Sequence, residues 1–182
     1  MTRRGPQSPL HLPGDSVWLT LTATITLMPH LATQPIWLAG TTLLLLAARL
    51  LIDLRHVSPP RKIFLTLAAI AIAVLIWLHF KHIFGRAPGL ALLSAFLCLK
   101  LLEARTRRDG HAVVLLCFFM QLGHFLQSQS MGTAAVTTVG VLLSLATLAR
   151  LHGVSNAKET TRLAILLAAQ AVPLMAVLFL LF

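Results

Sequence analysis

Residues 110–149 form a run of 40 residues that contains no Asp, Glu, Lys or Arg. The run directly follows a densely charged stretch, residues 100–109, with the sequence KLLEARTRRD. A helix needs about 20 apolar residues to cross the hydrocarbon core of a bilayer. The run therefore predicts two membrane-spanning helices, with the charged stretch at one membrane surface. The turn between the two helices is predicted at Gln127, Ser128, Gln129, Ser130, Met131 and Gly132.

The overall composition agrees with a membrane protein. Hydrophobic residues make up 57% of the chain and charged residues 11%, whereas a soluble domain has about 25% charged residues. A net charge of +10 would suggest nucleic-acid binding in a soluble protein. Here the basic residues lie between apolar segments instead of along one face, so no nucleic-acid partner is expected. The lipid bilayer is the expected partner.

The remaining apolar segments predict an all-α, polytopic transmembrane helix bundle with about seven spans. Residues 1–15 are predicted to be a disordered cytoplasmic lead-in, and residues 16–182 the transmembrane domain. Residues 16–48 form another uncharged run. Pro29 and Pro35 divide it into a hairpin of two short arms, because proline interrupts helical hydrogen bonding. If this first hairpin is re-entrant, five spans remain. The predicted spans are 16–31, 36–52, 63–80, 88–103, two within 110–149, and 163–182.

The positions of the basic residues predict the orientation. With a cytoplasmic N-terminus, 13 of the 15 Lys and Arg residues fall in cytoplasmic segments, and only Lys81 and Arg86 fall outside. Cytoplasmic loops of membrane proteins carry an excess of Lys and Arg. The pattern therefore predicts a cytoplasmic N-terminus and a C-terminus on the opposite side of the membrane. This prediction does not depend on the first hairpin, because removing both of its arms leaves every later loop on the same side.

The charged stretch is interpreted as an orientation anchor. On a helix Glu103 lies three residues after Lys100 and four before Arg107, so all three side chains can meet on one face. The stretch then serves either as an interfacial charge cluster that sets helix depth, or as a structural lock or a site for a lipid headgroup or partner. The residues assigned this role are Lys100, Glu103, Arg105, Arg107, Arg108 and Asp109.

The fifth predicted span carries a polar face formed by Cys117, Gln121, His124 and Ser128, spaced four, three and four residues apart. Polar side chains within hydrocarbon are expected to face the interior of the bundle. They serve either as hydrogen-bonding contacts between helices or as a path for a proton or solute. Gly140 and Ser144 of the next span have the spacing of small residues that permits close helix packing.

No catalytic, cofactor or metal site is predicted in this chain. The sequence has no GxSxG, no phosphate-binding glycine loop and no HExxH, which are motifs typical of common hydrolases and nucleotide-binding enzymes. His79 and His82 are three residues apart, and His30 and His124 fall towards the same side, so two or three of them could bind a metal. Single interfacial histidines are the simpler interpretation. Cys98 lies, like Cys117, inside an apolar segment.

Three stretches together resemble the N-terminal membrane domain of bacterial TgpA-type transglutaminase-like membrane proteins. They are MPHLATQPIWLAG, LCLKLLEARTRRDGHAVVLLCFFMQLGHFLQSQS and QAVPLMAVLFLLF. The central stretch is the most specific of the three, and the resemblance covers roughly residues 12–182. In that family the membrane domain, itself of unknown function, is followed by a periplasmic transglutaminase-like domain with a Cys–His–Asp triad.

The resemblance implies a multi-pass domain in the bacterial inner membrane that anchors and positions a periplasmic acyltransferase domain in the same polypeptide. No residue of this chain matches the triad, so the chain itself is expected to be non-catalytic, either as a fragment or as a stand-alone membrane domain. Two rival functions remain open. One is a small transporter or ion- or proton-conducting protein that uses the polar face of the fifth span, and the other is an assembly module for envelope proteins.

Overall fold

The described residues form seven α-helices and contain no β-strand. This computed structural model describes residues 13–31, 33–55, 62–81, 85–127, 130–153 and 156–181. The all-α prediction is confirmed, and each predicted span corresponds to one helix. The helices are α1 (Pro13–Leu31), α2 (Ile36–Arg55), α3 (Lys62–Phe80), α4 (Arg86–Glu103), α5 (Arg107–Gln127), α6 (Met131–Leu151) and α7 (Ala157–Leu181).

The predicted turn within the long uncharged run separates α5 from α6. Ser130 caps α6, since its hydroxyl oxygen accepts a hydrogen bond from the backbone N–H of Thr133 at 3.2 Å. A serine at this position satisfies one of the unpaired N–H groups at the start of a helix. The turn residues Ser128 and Gln129 lie outside the described part of the chain.

The start of α7 differs from the prediction. The stretch 150–162 is predicted as a polar loop, but α6 extends to Leu151 and α7 already begins at Ala157. The Asn156 side chain accepts a hydrogen bond from the backbone N–H of Lys158 at 3.2 Å, and Glu159 lies in the first turn of α7. An acidic side chain there is favoured by the helix dipole, so polar residues extend the helix beyond its apolar part.

The start of α1 also differs slightly from the prediction. The helix begins at Pro13, three residues before the predicted span. Proline is well accommodated in the first helical turn, where its missing N–H costs no hydrogen bond. The predicted disordered lead-in therefore overlaps the helix by residues 13–15, and its other residues, 1–12, lie outside the described part.

Helix α1 lies at the centre of the bundle and packs against α2, α4, α5 and α6. Its side chains Leu19, Ala23 and Leu27 are fully buried in the main core. This core also contains Leu97, Cys98 and Leu101 of α4 and Val113, Val114, Cys117 and Met120 of α5. Helix α3 packs chiefly against α4, and α7 against α6. These two helices therefore lie on the outside of the bundle.

Successive helices alternate in direction, so the bundle has two distinct ends. The ends of α2, α4 and α6 meet the starts of α1, α3 and α5 through side-chain contacts such as Ser16–Asp53, Lys62–Glu103 and Arg107–Leu151. Ten of the twelve Lys and Arg residues in the described part of the chain belong to this end, hereafter the basic end. Lys81 and Arg86 belong to the opposite end.

Within the described part of the chain, three helices are long and apolar enough to cross a membrane, namely α2, α3 and α6. Large apolar side chains are exposed on the outer surface of the bundle. On α3 alone, Phe64, Leu67, Ile70 and Leu78 are each more than half exposed. Exposed apolar surface of this extent is unusual in a soluble monomer.

Candidate functional site

The basic end contains a cluster of paired charges at the junction of α4 and α5. Lys100 Nζ lies 3.1 Å from Glu103 Oε2 and 2.9 Å from Asp109 Oδ1. Lys62, at the start of α3, lies 3.5 Å from the other oxygen of Glu103. Lys62, Lys100, Glu103 and Asp109 are called the junction cluster below. The cluster connects the starts of α3 and α5 to the end of α4.

The predicted contact of Arg107 with Glu103 is wrong. Helix α4 ends at Glu103 and α5 begins at Arg107, so the two residues do not share one helical face. Among the described residues no ion pair joins them, and Arg107 Nη1 instead donates to the carbonyl oxygen of Leu151 at 3.1 Å. Asp109, and not Arg107, is therefore the third member of the charged group with Lys100 and Glu103. Arg108, on the same turn, is exposed.

Asp109 and Thr106 form a reciprocal cap at the start of α5. Asp109 Oδ2 accepts hydrogen bonds from the N–H of Thr106 at 3.2 Å and from the N–H of Arg105 at 3.3 Å. In return, the Thr106 hydroxyl oxygen accepts one from the N–H of Asp109 at 3.3 Å. This is the arrangement of a capping box. It explains why the helix restarts within a stretch that looks continuous in sequence.

The junction cluster holds Asp109 ionised. Partial burial by itself raises the pKa of its carboxyl group, but hydrogen bonds from Lys100, Thr106 and the Arg105 backbone, with the Lys100 charge, outweigh burial and lower this pKa to about 2. Asp109 lies just before the uncharged run, at the end of the apolar part of the helix.

A second charged pair, Arg49 and Asp53 of α2, is not identified by the sequence analysis. Their side chains are 4% and 11% exposed, and Arg49 Nε lies 3.4 Å from Asp53 Oδ1. Arg49 also donates to Ser16 Oγ at 2.6 Å and to the carbonyl oxygen of Ala104 at 3.3 Å. The pair therefore connects α1, α2 and the α4–α5 connection. Its only sequence signal is the i, i+4 spacing of opposite charges.

The predicted polar face of α5 points into the bundle. Cys117 is fully buried, and Gln121 is 5% exposed. Gln121 Nε2 donates to Thr26 Oγ1 of α1 at 3.2 Å and to Ser144 Oγ of α6 at 3.0 Å. Gln121 therefore joins three helices by hydrogen bonds. Thr26 and Ser144, its partners, are 4% and 0% exposed.

His124 of the same face contacts His30 of α1. Their rings meet edge to face with centroids 5.0 Å apart, and His30 is 1% exposed. His30 Nε2 lies 3.2 Å from the carbonyl oxygen of Met120. Ser128, the fourth predicted member of the face, lies outside the described residues, so the structure places three of the four members.

The opposite end of the bundle contains a cavity of about 880 Å³. It lies among the end of α1, the start of α2, the end of α3, the start of α4 and the end of α5. Its wall combines polar side chains with apolar ones: His30, Gln34, Gln127, Trp37, Phe80 and Leu90. Of the predicted turn residues, Gln127 thus lines the cavity and Ser130 caps α6, while Gln129 lies outside the described part.

Neither the two cysteines nor the described histidines form a catalytic arrangement. Cys98 and Cys117 are free thiols with no exposed surface. Within the described residues, no group of three or more His, Cys, Asp or Glu side chains is arranged to hold a metal ion. His79 contacts Trp37, with ring centroids 5.8 Å apart, and His82 lies outside the described part. Buried polar side chains such as Gln121 and Arg49 connect helices to one another.

Comparisons with known proteins agree with the resemblance seen in the sequence. The chain is 36% identical over 170 residues to a protein-glutamine gamma-glutamyltransferase of Pseudomonas aeruginosa. The match covers 91% of this chain but spans only about a quarter, 25%, of the length of that relative. No solved structure matches the chain. Residues 18–182 match the model of the TgpA N-terminal domain, and the chain therefore belongs to the TgpA N-terminal domain family.

Proposed function

We propose that this chain is an integral domain of the bacterial inner membrane that anchors and positions a periplasmic transglutaminase-like domain. It crosses the bilayer with seven helices, its N-terminus is cytoplasmic, and it is not itself catalytic. Catalysis of protein-glutamine acyl transfer belongs to the attached domain. The lipid bilayer and that domain are its partners.

The observation that carries the proposal is the unequal distribution of basic residues between the two ends of the bundle. Ten of the twelve described Lys and Arg residues belong to the basic end, as expected for the cytoplasmic side of a membrane protein. The outer surface between the ends is rich in exposed apolar side chains, which suits contact with lipid. Polar side chains such as Gln121 and Ser144 are turned inward.

The family and the relative support the proposal that this domain positions an attached transglutaminase-like domain. The matched relative is about four times longer than the aligned region, and its name describes glutamyl transfer. In the proposed orientation α7 runs from the cytoplasm to the periplasm, because it begins near the basic end. A catalytic domain that follows α7 is then placed outside the inner membrane, close to its surface.

Accessibility of single cysteines tests the orientation. The native residues Cys98 and Cys117 are buried and can be replaced by alanine. Met131→Cys then introduces an exposed thiol at the start of α6, and Lys158→Cys a matched thiol at the start of α7. In intact cells a membrane-impermeant maleimide should label position 131 only, while both positions should react after lysis. Labelling of position 158 in intact cells would overturn the orientation.

A fusion after Phe182 tests the tethering part of the proposal. Alkaline phosphatase joined there should be active, because this enzyme needs the oxidising periplasm to form its disulfides. A green fluorescent protein joined at the same position and exported through the same membrane should give little fluorescence. The reverse result would place the attached domain in the cytoplasm and contradict the proposal.

The structure favours neither rival function. In a transporter that uses the polar face of α5, the polar side chains would have to line a continuous path through the bundle. Gln121 instead uses both amide hydrogens on Thr26 and Ser144, and Gly140 packs directly against it. An envelope assembly module would also need a membrane domain, but no contact among the described residues points to that role specifically.

A further inference from the structure

We propose that His111 of α5 and His152, the residue that follows α6, bind a divalent transition-metal ion such as Zn²⁺. Each imidazole binds the ion through Nε2, and water supplies the other ligands. The bound ion connects the start of α5 to the end of α6 at the basic end. This inference goes beyond anchoring, and it does not depend on the attached domain or on the orientation.

The first argument is the tautomer of the two rings. His111 Nδ1 lies 2.6 Å from the carbonyl oxygen of Arg107, and His152 Nδ1 lies 2.8 Å from the carbonyl oxygen of Leu148. A carbonyl oxygen only accepts, so each Nδ1 carries a proton, and Nε2 of each neutral ring keeps its lone pair. Histidines that bind a metal usually donate their other N–H to a backbone carbonyl or a carboxylate in this way.

Both rings can also be reached from solvent. Among the described residues, neither Nε2 atom has a hydrogen-bond partner. His152 is exposed. Nε2 of the half-buried His111 does not belong to the buried atoms that lack a partner, so it retains accessible surface. The two lone pairs are therefore available to a metal ion.

The second argument is the distance between the rings. A ring bound through Nε2 has its centroid about 3.2 Å from a zinc ion, because the Zn–N distance is about 2.0–2.1 Å. Two such rings have centroids about 5.2 Å apart at the tetrahedral angle and about 4.5 Å apart at a right angle. The centroids of His111 and His152 are 5.0 Å apart. One ion therefore fits between the two rings without a change in how the helices pack.

The third argument is that the backbone on both sides of the pair is held in place. Arg107 Nη1 donates to the carbonyl oxygen of Leu151 at 3.1 Å. A Cβ atom added to Gly110 would lie 3.1 Å from a methyl group of Leu151. Gly110 and Leu151 directly precede the two histidines in sequence. Ligands carried by a rigid framework bind a metal better than ligands on mobile segments.

The charges around the pair are mainly positive. Arg107, Arg108 and Arg150 lie within four residues of one of the two histidines, and the carboxylate of Asp109 is bound by Lys100. These cations repel Zn²⁺, and salt screens exposed charges over a Debye length of about 10 Å at 0.1 M. Binding to this pair should therefore be tighter at high salt than at low salt, whereas salt weakens binding to carboxylates.

Titration with Zn²⁺ tests the proposal. The full chain is purified in a non-ionic detergent with an affinity tag that contains no histidine, and bound metal is removed with a chelator. Calorimetric titration should then show saturable binding of one Zn²⁺ ion per chain, with higher affinity at high salt. Absence of saturable binding would overturn the proposal, and so would binding that becomes weaker as salt is added.

Three variants test whether this pair holds the ion. Removing an outer-shell partner of a metal ligand usually weakens binding about 10–100-fold, so loss of a ligand in His111→Gln or His152→Gln should weaken Zn²⁺ binding at least about tenfold. His79→Gln makes the same replacement at an exposed position of α3 and should bind Zn²⁺ like the unmodified protein. Equal affinities in all three variants would contradict the assigned ligands.

Electron paramagnetic resonance of bound Cu²⁺ identifies the ligands without relying on the stability of a variant. Cu²⁺ binds nitrogen ligands more tightly than Zn²⁺ does, and its electron spin echo modulation shows how many imidazoles it binds. The unmodified protein should show two imidazoles, and His152→Gln should show one. One imidazole or none in the unmodified protein would rule out a site formed by the pair.

The proposed function fails in a different way from this inference. If the chain were not a membrane domain, it would appear in the soluble fraction without detergent but would still bind Zn²⁺. If only the metal site were wrong, the chain would still require a membrane but would show no saturable binding of Zn²⁺.

Discussion

Gln121 of α5 and Gly140 of α6 are in direct contact across the bundle. A Cβ atom added to Gly140 would lie 3.0 Å from Gln121 Nε2 and 3.2 Å from Gln121 Cδ. The absence of a side chain at Gly140 therefore leaves the space in which Gln121 reaches both Thr26 and Ser144. The small residues of α6 and the polar face of α5 form one packed unit.

Gly140→Ala should destabilise the bundle. Alanine favours the helix by about 1 kcal/mol relative to glycine, but its methyl group would displace the Gln121 amide from its two partners. Overpacking of a buried site costs about 1–3 kcal/mol, so we expect a net loss. Thermal unfolding in detergent, followed by circular dichroism, measures it.

Gly132→Ala provides the matched control in the same helix. The nearest atom to an added Cβ there is Ser130 Oγ at 3.9 Å, and Gly132 is exposed. This variant should be as stable as the unmodified protein or slightly more stable. If both alanine variants unfold at the same temperature, the close contact at Gly140 does not matter for stability.

Gln121→Leu should reduce stability without affecting the tethering function. Leucine leaves the Thr26 and Ser144 hydroxyls without their amide partner. Interhelical hydrogen bonds in membrane proteins contribute about 0.6–2 kcal/mol each, so we expect a loss of about 1–4 kcal/mol from the two bonds. Urea unfolding in mixed micelles measures the loss of stability, and the phosphatase fusion after Phe182 measures the topology.

Gln170→Leu is the control for this substitution, because Gln170 lies exposed on α7. It should leave stability unchanged or raise it. The transporter alternative predicts another outcome for Gln121→Leu, namely loss of function in a protein that is still folded and inserted. Normal activity of the attached enzyme with Gln121→Leu would agree with the anchor proposal.

The junction cluster should make stability depend on pH in the acidic range. The pKa of Asp109 is about 2 in the folded chain, compared with an ordinary value of 3.8. The folded state therefore binds this proton less readily than the unfolded state, so the contribution of Asp109 to stability is complete above about pH 5 and decreases as pH falls towards 2. The shift corresponds to about 2 kcal/mol.

Asp109→Asn isolates this contribution. The difference in melting temperature between the unmodified chain and the variant should be largest above about pH 5 and should shrink as pH is lowered to about 2.5. Gln170→Leu, at an exposed position of α7, removes no ionisable group and should show no such trend. A difference for Asp109→Asn that is constant across this range would argue against an ionised Asp109 as the source.

The helices and the inward polar face could be predicted because each depends on a pattern within one segment. The uncharged run predicted α5 and α6, and the spacing of Cys117, Gln121 and His124 predicted their common face. The partners of Gln121 could not be predicted, because they depend on which helices are neighbours in the bundle. The local pattern also did not show that α1 is the central helix.

The structure of the charged stretch, residues 100–109, could be predicted only in part, for a different reason. A charged helix end and a charged loop have the same composition, so Lys100, Glu103 and Arg107 could be placed on one helix. The break between Glu103 and Arg107 depends on the Thr106–Asp109 cap, which a threonine followed three residues later by an acidic residue does signal. The role of Arg49 could not be predicted, because a basic residue near the end of a span is explained equally well by membrane orientation.

Arg49→Leu should be the most destabilising of these substitutions. It leaves the nearly buried Asp53 without its cation, and breaking a buried pair by removing one partner costs about 3–5 kcal/mol. The double variant Arg49→Leu with Asp53→Leu should regain much of that loss, because no uncompensated charge remains. Arg55→Leu, at an exposed position of the same helix, is the matched control and should change stability little. A double-mutant cycle, measured by unfolding in detergent, gives the coupling free energy between Arg49 and Asp53. A value near zero would mean that Arg49 acts only through Ser16 and Ala104.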